Sequence, residues 1–420
     1  MNTSRLFVDV TGLARWQGKL TGIQRVVDEL SMRFDEDGNA IFVVWDGSLR
    51  SFRRIDYGSI RADAGGRSAD LMAFARRAKD RSRLLGRTVT VGKRIAPSVF
   101  GWTPAAAGAE AIRPATGDVL LLCANWNSDQ IFVDHVVELQ GEGVLLAQIA
   151  YDLLPIVAPQ YCGHSTERLT SYVKSVYPIC DTILAISEHT KRDIASWMTL
   201  CGLPVPKIDV FRLGDDFTLD ALAQPTDEAF LDAYNRDARF LVCVGTIEVR
   251  KNHALLYYTY KLAHEQHIEL PPIVIVGRRS WLSDDMYEVM THDPQTSAKF
   301  IFLHDATDEE LAWLYQHCQF SVYPSFYEGW GLPIGESLAY GVPCLASNTS
   351  SMPEVGGALV TYFSPASADD CLRAITTMLQ PGCIEETKRR IRRYEPARWD
   401  DTYQSVRSSI RELERMAEGE

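Results

Sequence analysis

Residues 320–347, FSVYPSFYEGWGLPIGESLAYGVPCLAS, decide the fold. An apolar run ends at Tyr-Pro-Ser and reads as a strand. A Gly-Trp-Gly-Leu-Pro turn follows, then a helical pattern that stops at Gly341, and Pro-Cys-Leu-Ala-Ser starts another strand. Proline just inside the helix start is favoured, because its missing N–H would be unpaired there anyway. Such a strand–turn–helix–strand unit builds a parallel sheet. Two carboxylates, Glu328 and Glu336, bracket the turn with seven residues between them.

The same unit recurs outward along the chain. FLVCVGT, PPIVIVG and KFIFLHDA precede it as strands, and ALVTYFS follows it, with helical patterns between. The first half alternates in the same way: RLFVDVTG, AIFVVWDG, GDVLLLCANW, GVLLAQIAYDLLP, CDTILAIS and IDVFRLG read as strands, and TGIQRVVDELSMRF (residues 21–34) as an amphipathic helix. The class is α/β, with mostly parallel sheets covered by helices on both faces. At 420 residues there is room for two domains. The expected division is a first domain over 1–218, a polar, acidic linker over 219–238, a second domain over 239–398 and a C-terminal helix over 399–420 that crosses back to the first. In open parallel sheets ligands bind beyond the carboxyl ends of the strands, so the turns after strands are where chemistry is sought.

Composition narrows the function. A hydrophobic fraction of 46% supports ordinary cores, and no apolar run reaches the roughly 18 residues that span a bilayer. The opening MNTSRLFVDVTGLARW does not read as a signal peptide, since Asp9 interrupts its apolar stretch. Nine dispersed cysteines without a Cys-x-x-Cys pair suggest reduced thiols in a cytoplasmic protein. A net charge of -12 argues against nucleic acid as a partner. The charge is uneven, with thirteen Arg or Lys against four Asp from Arg50 to Pro97. The densest part, LMAFARRAKDRSRLLGR (residues 71–87), is either a solvated helix face or a patch for an anionic membrane surface.

Four turns carry candidate chemistry. In EGWG, glycines 329 and 331 let a ligand approach the backbone, and the helix N-terminus beyond offers N–H groups to a phosphate. Carboxylates beside a phosphate make sense as acceptors for hydroxyls attached to it. A nucleotide sugar has such hydroxyls on both sides of its diphosphate, so Glu328 and Glu336 would hold its two ends. In VGTIEVRKNH, Arg250 and Lys251 stand just before a helix, where they would neutralise a leaving diphosphate or form a plain surface pair. In TGIQR, Gly22 opens a helix whose N-terminus would face the same cleft and meet the donor phosphate or the acceptor, or is a simple helix start. In AYDLLPIVAP, Asp152 follows a strand and would orient the acceptor or transferred sugar, or cap a turn. His264 and His267 read as a solvated face, with no third metal ligand near in sequence. Trp281, Trp330, Cys243 and Cys344 read as packing residues, although Trp330 lies inside the motif.

Together these stretches resemble a retaining glycosyltransferase of family 4, with the two-Rossmann-domain GT-B fold. The likeness rests on EGWGLPIGES, VGTIEVRKN, CDTILAISEHTKRDI, IVIVGRRSW and SSMPEVGG in order, covering most of residues 140–400. TGIQR and VGTIEVRKN are similar to the bacterial mannosyl- and rhamnosyltransferase branch that builds surface polysaccharides. The resemblance implies that Glu336 binds the ribose, that Glu328 lies by the transferred sugar, and that Arg250 and Lys251 contact the diphosphate. It also implies phosphate support from the backbone of Gly331, Leu332 and Pro333, retention of configuration, and no metal or other cofactor. Two positions depart from the family pattern: Thr246 stands where many members carry arginine, and Tyr151-Asp152 where many carry His-Asp.

The expected activity is transfer of a hexose, mannose from GDP-mannose first, to a polysaccharide or lipid-linked saccharide on the cytoplasmic side, peripheral to the membrane. Rhamnosyl or glucosyl transfer from a dTDP or UDP donor is the near alternative. A nucleotide-sugar epimerase and a catalytically silent sugar- or partner-binding subunit are the further ones.

Overall fold

A computed structural model describes residues 4–16, 20, 22–61, 110–123, 129–162, 166–216 and 239–418. The expected linker and the basic stretch 71–87 lie outside the described residues.

Two sheets organise the chain. The first has eight strands: β1 (Leu6–Asp9), β2 (Ala40–Asp46), β3 (Ser51–Arg54), β4 (Ala111–Ile112), β5 (Val119–Leu122), β6 (Leu145–Ala150), β7 (Thr182–Ala185) and β8 (Lys207–Val210). Their order is β4-β3-β2-β1-β5-β6-β7-β8. All neighbours pair in parallel except β2 with β3 and β3 with β4. The sequence reading had not separated this antiparallel edge. Its strands are short, and Arg53 points back to Asp46 of β2 at 2.8 Å instead of continuing an apolar run.

The second sheet is wholly parallel. Its strands are β9 (Leu241–Val244), β10 (Ile273–Val276), β11 (Phe300–Leu303), β12 (Ser321–Tyr323), β13 (Cys344–Ser347) and β14 (Thr361–Phe363). They run in the order β11-β10-β9-β12-β13-β14. Six strands were expected here and six form. Runs such as Ile-Val-Ile-Val in β10 are buried throughout, as strands covered on both faces must be. The strand order reverses between β9 and β12, so the turns after these two strands flank the crevice where such sheets bind ligands. In the first sheet the reversal falls between β1 and β5.

The helix Trp399–Glu418 returns to the first domain. Its buried residues Trp399, Tyr403, Val406, Ile410 and Leu413 recur at helical spacing. The Tyr403 ring meets Phe34 of the helix Ile23–Asp37 edge-on, with centroids 5.0 Å apart. Arg33 pairs with Asp400 and Lys207 with Glu412. One apolar cluster runs from Val26, Leu30 and Phe34 through Trp399 to Trp330, Ile334 and Met352. The two domains therefore share a core on the side where the chain crosses over. Cys243 and Cys344 are buried as expected. Trp330 is buried too, whereas Trp281, read as packing, is more than a third exposed in the loop before Asp284.

Candidate active site

The site assembles at the β9/β12 reversal. After β9 the chain makes a single 3-10 turn, Val249–Lys251, that presents Arg250 and Lys251. Asn252 then adopts a left-handed conformation, φ 57°, and its buried amide donates to the carbonyls of Pro324 and Pro365. That side chain ties the β9 turn to the β12 turn. Nothing local in the VRKN stretch marks Asn252, because its partners are 72 and 113 residues away.

Glu328 stands between the two cations. Arg250 Nη1 is 2.5 Å from Oε2, and Lys251 Nζ is 2.8 Å from Oε1. Arg250 also donates to the Tyr327 carbonyl and forks onto Glu248 Oε1 through Nε and Nη2, at 3.0 and 2.6 Å. Lys251 donates to the Tyr323 hydroxyl at 2.7 Å. Burial alone would push the Glu328 carboxyl up, but Arg250 and then Lys251 outweigh it and bring it down to about 2. Burial lowers the Lys251 ammonium, with Glu328 opposing. The turn is fixed from behind: Glu328 N–H donates to Ser350 Oγ, and Ser351 Oγ donates to the carbonyls of Glu328 and Trp330. These serines open the SSMPEVGG stretch, which gives that stretch a physical task.

The two glycines of the turn differ. Gly331 has φ 123°, a conformation that strains any L side chain, and it begins the helix Leu332–Ala339. Leu332 and Pro333 follow in its first turn, partly buried. The expectation that Gly329 opens the backbone to a ligand is corrected. A Cβ there would lie 2.2 Å from the carbonyl oxygen of Tyr151, so the first domain fills that space.

Glu336 lies one turn further along, with 12% of its side chain exposed. It accepts from the Tyr315 hydroxyl at 3.0 Å. Burial raises its carboxyl above the ordinary value, with Arg25 the main opposing influence and Tyr315 next. Arg25 comes from the first domain, its Nη1 3.8 Å from Glu336 Oε1. It is the last residue of the TGIQR stretch and had not been singled out. Gly22, the residue that had been, sits exposed just before the helix Ile23–Asp37. Thr21 lies outside the described residues.

Asp152 reaches the same region from the other side. Its Oδ1 accepts from Leu154 N at 3.1 Å, a turn-capping bond. Burial raises its carboxyl, Arg250 opposes, and Glu328 and Asp193 add to the rise. Tyr151 turns inward with its hydroxyl buried, so of the two residues only Asp152 faces the charged cluster. The structure thus brings Glu328, Arg250 and Lys251 into contact, sets Asp152 within their field and keeps Glu336 apart beside Arg25. Among the described residues no group of three or more His, Cys, Asp or Glu is placed to hold a metal. His264 and His267 are exposed at the end of the helix His253–Glu265.

Further contacts close the cleft. Glu354, in SSMPEVGG, accepts from the backbone N–H groups of Glu188 and His189, both at 2.8 Å, at the start of the helix Glu188–Leu200. Tyr327 donates to Asp193 of that helix. Tyr161 stacks on Phe326 with centroids 4.9 Å apart.

Residues 228–398, which hold all of this second-sheet machinery, match the family model described as glycosyl transferases group 1. Among relatives, the O-antigen chain mannosyltransferase B of Escherichia coli is 29% identical over 237 residues, 55% of this chain and 60% of that protein. The serotype-specific mannosyltransferase WbdA of the same organism is 24% identical over 255 residues, 59% of this chain and 31% of that protein. The chain thus spans from under a third to three fifths of the length of these relatives. The fold is GT-B. A sucrose-phosphate synthase from Thermosynechococcus elongatus superimposes over 98% of this chain and 99% of its own, with a TM-score of 0.61 at 15% identity. Anabaena HepE, solved with UDP, does so over 97% of this chain and all of its own, with a TM-score of 0.60 at 12% identity.

Proposed function

We propose that this protein is a retaining hexosyltransferase of the family 4 kind, moving mannose from GDP-mannose to a saccharide or lipid-linked saccharide acceptor in surface-polysaccharide synthesis. The observation that carries the reading is the contact of Arg250, Lys251 and Glu328 at the β9/β12 reversal, with Glu336 on the helix beyond. The names of the E. coli relatives favour mannose and an O-antigen type of acceptor.

In this reading the donor diphosphate lies against Arg250 and Lys251, and the backbone N–H groups at Gly331 and Leu332 face its oxygens. The cations are preorganised. Glu328 and Glu248 hold them in place before the donor arrives, so little reorientation is needed as charge develops on the leaving diphosphate. Both Glu328 oxygens are engaged by cations, which suits a carboxylate that positions charge and meets a sugar hydroxyl, not one that attacks carbon. Glu336 accepts from the ribose diol. The leaving phosphate takes the acceptor proton on the face that the nucleotide vacates, so configuration is retained and no separate strong base is required. Asp152, on the far wall, orients the acceptor or the transferred sugar. Charge neutralisation is assigned to Arg250 and Lys251, and a metal is not needed. Apposition of the domains excludes water, which would otherwise hydrolyse the donor.

The test is nucleotide release from GDP-, UDP- and dTDP-sugars in EDTA, for wild type and Glu336→Ala, with thermal shift read on the same samples. Release from GDP-mannose that the variant loses supports the reading. Release from a UDP or dTDP donor instead moves the assignment to glucosyl or rhamnosyl transfer. No shift with any donor would sink the nucleotide-sugar reading.

A further inference from the structure

We infer that Arg25 of the first domain is a positioning residue for the donor, keeping the Glu336 carboxylate ionised and oriented across the cleft. The inference rests on the donor reading above. Glu336 is nearly buried on the second domain. The helix Asp308–His317 supplies the Tyr315 hydroxyl at 3.0 Å and the more distant negative charge of Asp308. The turn after β9 supplies the more distant charge of Lys251, and Tyr340 lies at the end of Glu336's own helix. The strongest opposition to burial comes from another domain: the guanidinium of Arg25, a third exposed, 3.8 Å away. At that distance it acts through its field, not a hydrogen bond, so both Glu336 oxygens keep lone pairs for a diol.

The geometry makes one carboxylate depend on both domains. Without Arg25 beside it, the carboxyl is desolvated with less compensation and takes up a proton at higher pH. A protonated Glu336 offers one acceptor fewer to the ribose. Donor binding then becomes sensitive to acid at a higher pH than with Arg25 in place.

The experiment is titration calorimetry of GDP-mannose from pH 5.5 to 8 on the full chain: wild type, Arg25→Gln, Arg25→Lys, Glu336→Gln and the double variant Arg25→Gln/Glu336→Gln. Wild type is expected to lose affinity only at lower pH than Arg25→Gln. Arg25→Gln should bind roughly fivefold more weakly at pH 8, the order of one partly exposed ion pair. Its affinity should then fall as the pH drops, by up to about tenfold per unit below the raised Glu336 value. Arg25→Lys should restore the wild-type profile, and Arg25→Gln should add nothing to Glu336→Gln. In turnover, the donor KM should rise more than kcat falls. A deficit equal at every pH, or additive with that of Glu336→Gln, would overturn the inference while wild-type binding kept the donor reading intact. Failure of wild type to bind GDP-mannose, UDP-glucose or dTDP-rhamnose would overturn both.

Discussion

Glu328 is where burial and charge are most finely opposed. Its carboxyl is held at about 2 against an ordinary 4.5 because Arg250 and Lys251 outweigh the cost of burying it. A carboxyl with a depressed folded value stabilises the fold above its ordinary value and loses that contribution as the pH falls through the folded value. The window is therefore pH 4.5 down to about 2, and the contribution is on the order of 3 kcal/mol. Acid titration of unfolding should show this slope in wild type and not in Glu328→Gln. The same variant has a catalytic consequence of opposite sign. Lys251 is already lowered by burial, and without Glu328 its proton leaves at lower pH. Donor turnover by Glu328→Gln should fall about 100–1,000-fold at pH 7 and decline further as the pH rises. A loss independent of pH would show that Glu328 does not maintain the Lys251 charge. Gly329→Ala tests the contact with Tyr151. A methyl 2.2 Å from that carbonyl must push the domains apart, so kcat should drop while circular dichroism stays native.

At the scale of elements, the helix Glu188–Leu200 is capped from within and from across the cleft. Ser187 accepts from Thr190 N in its own domain, and Glu354 takes the N–H groups of Glu188 and His189 from the other. A helix start leaves such groups unpaired, and its dipole favours an anion there. Glu354→Ala should cost about 1 kcal/mol, the usual worth of a cap, and hydrogen exchange should quicken at residues 188 and 189. Unchanged exchange would mean that this contact opens freely in solution. The strands of the second sheet were legible because each is a short apolar run, most of them bounded by glycine or proline, and such a run is read from neighbours alone. The antiparallel edge formed by β3 and β4 was not legible, since β3 is Ser-Phe-Arg-Arg with one buried apolar residue and β4 is only two residues long. Arg250, Lys251 and Glu328 could be read as chemistry from their turns, but their mutual contact joins two separate turns and belongs to the folded chain. Arg25, Asn252 and Glu354 escaped for the same reason: each acts on a partner far away in sequence.

For the whole molecule, the helix Trp399–Glu418 matters as much as either sheet. Five large side chains, Trp399, Tyr403, Val406, Ile410 and Leu413, are buried along it. At ~1.5–3 kcal/mol each they rival the ~5–15 kcal/mol that separates a folded protein from its unfolded chain. Truncation after Arg398 should therefore unfold the first domain while the second persists. Separate transitions in calorimetry, with the second domain persisting, would be the expected record, and an unchanged first transition would refute it. The same crossover sets a clock on the ribosome. The strands of the first sheet emerge before residue 216, but the helix that covers Phe34 follows only after about 180 more residues. At ~5–20 residues per second that is roughly 10–35 s during which a finished sheet waits with an apolar groove uncovered. Nascent chains should recruit holding chaperones over that interval, and a first domain given its closing helix early, by circular permutation, should need them less.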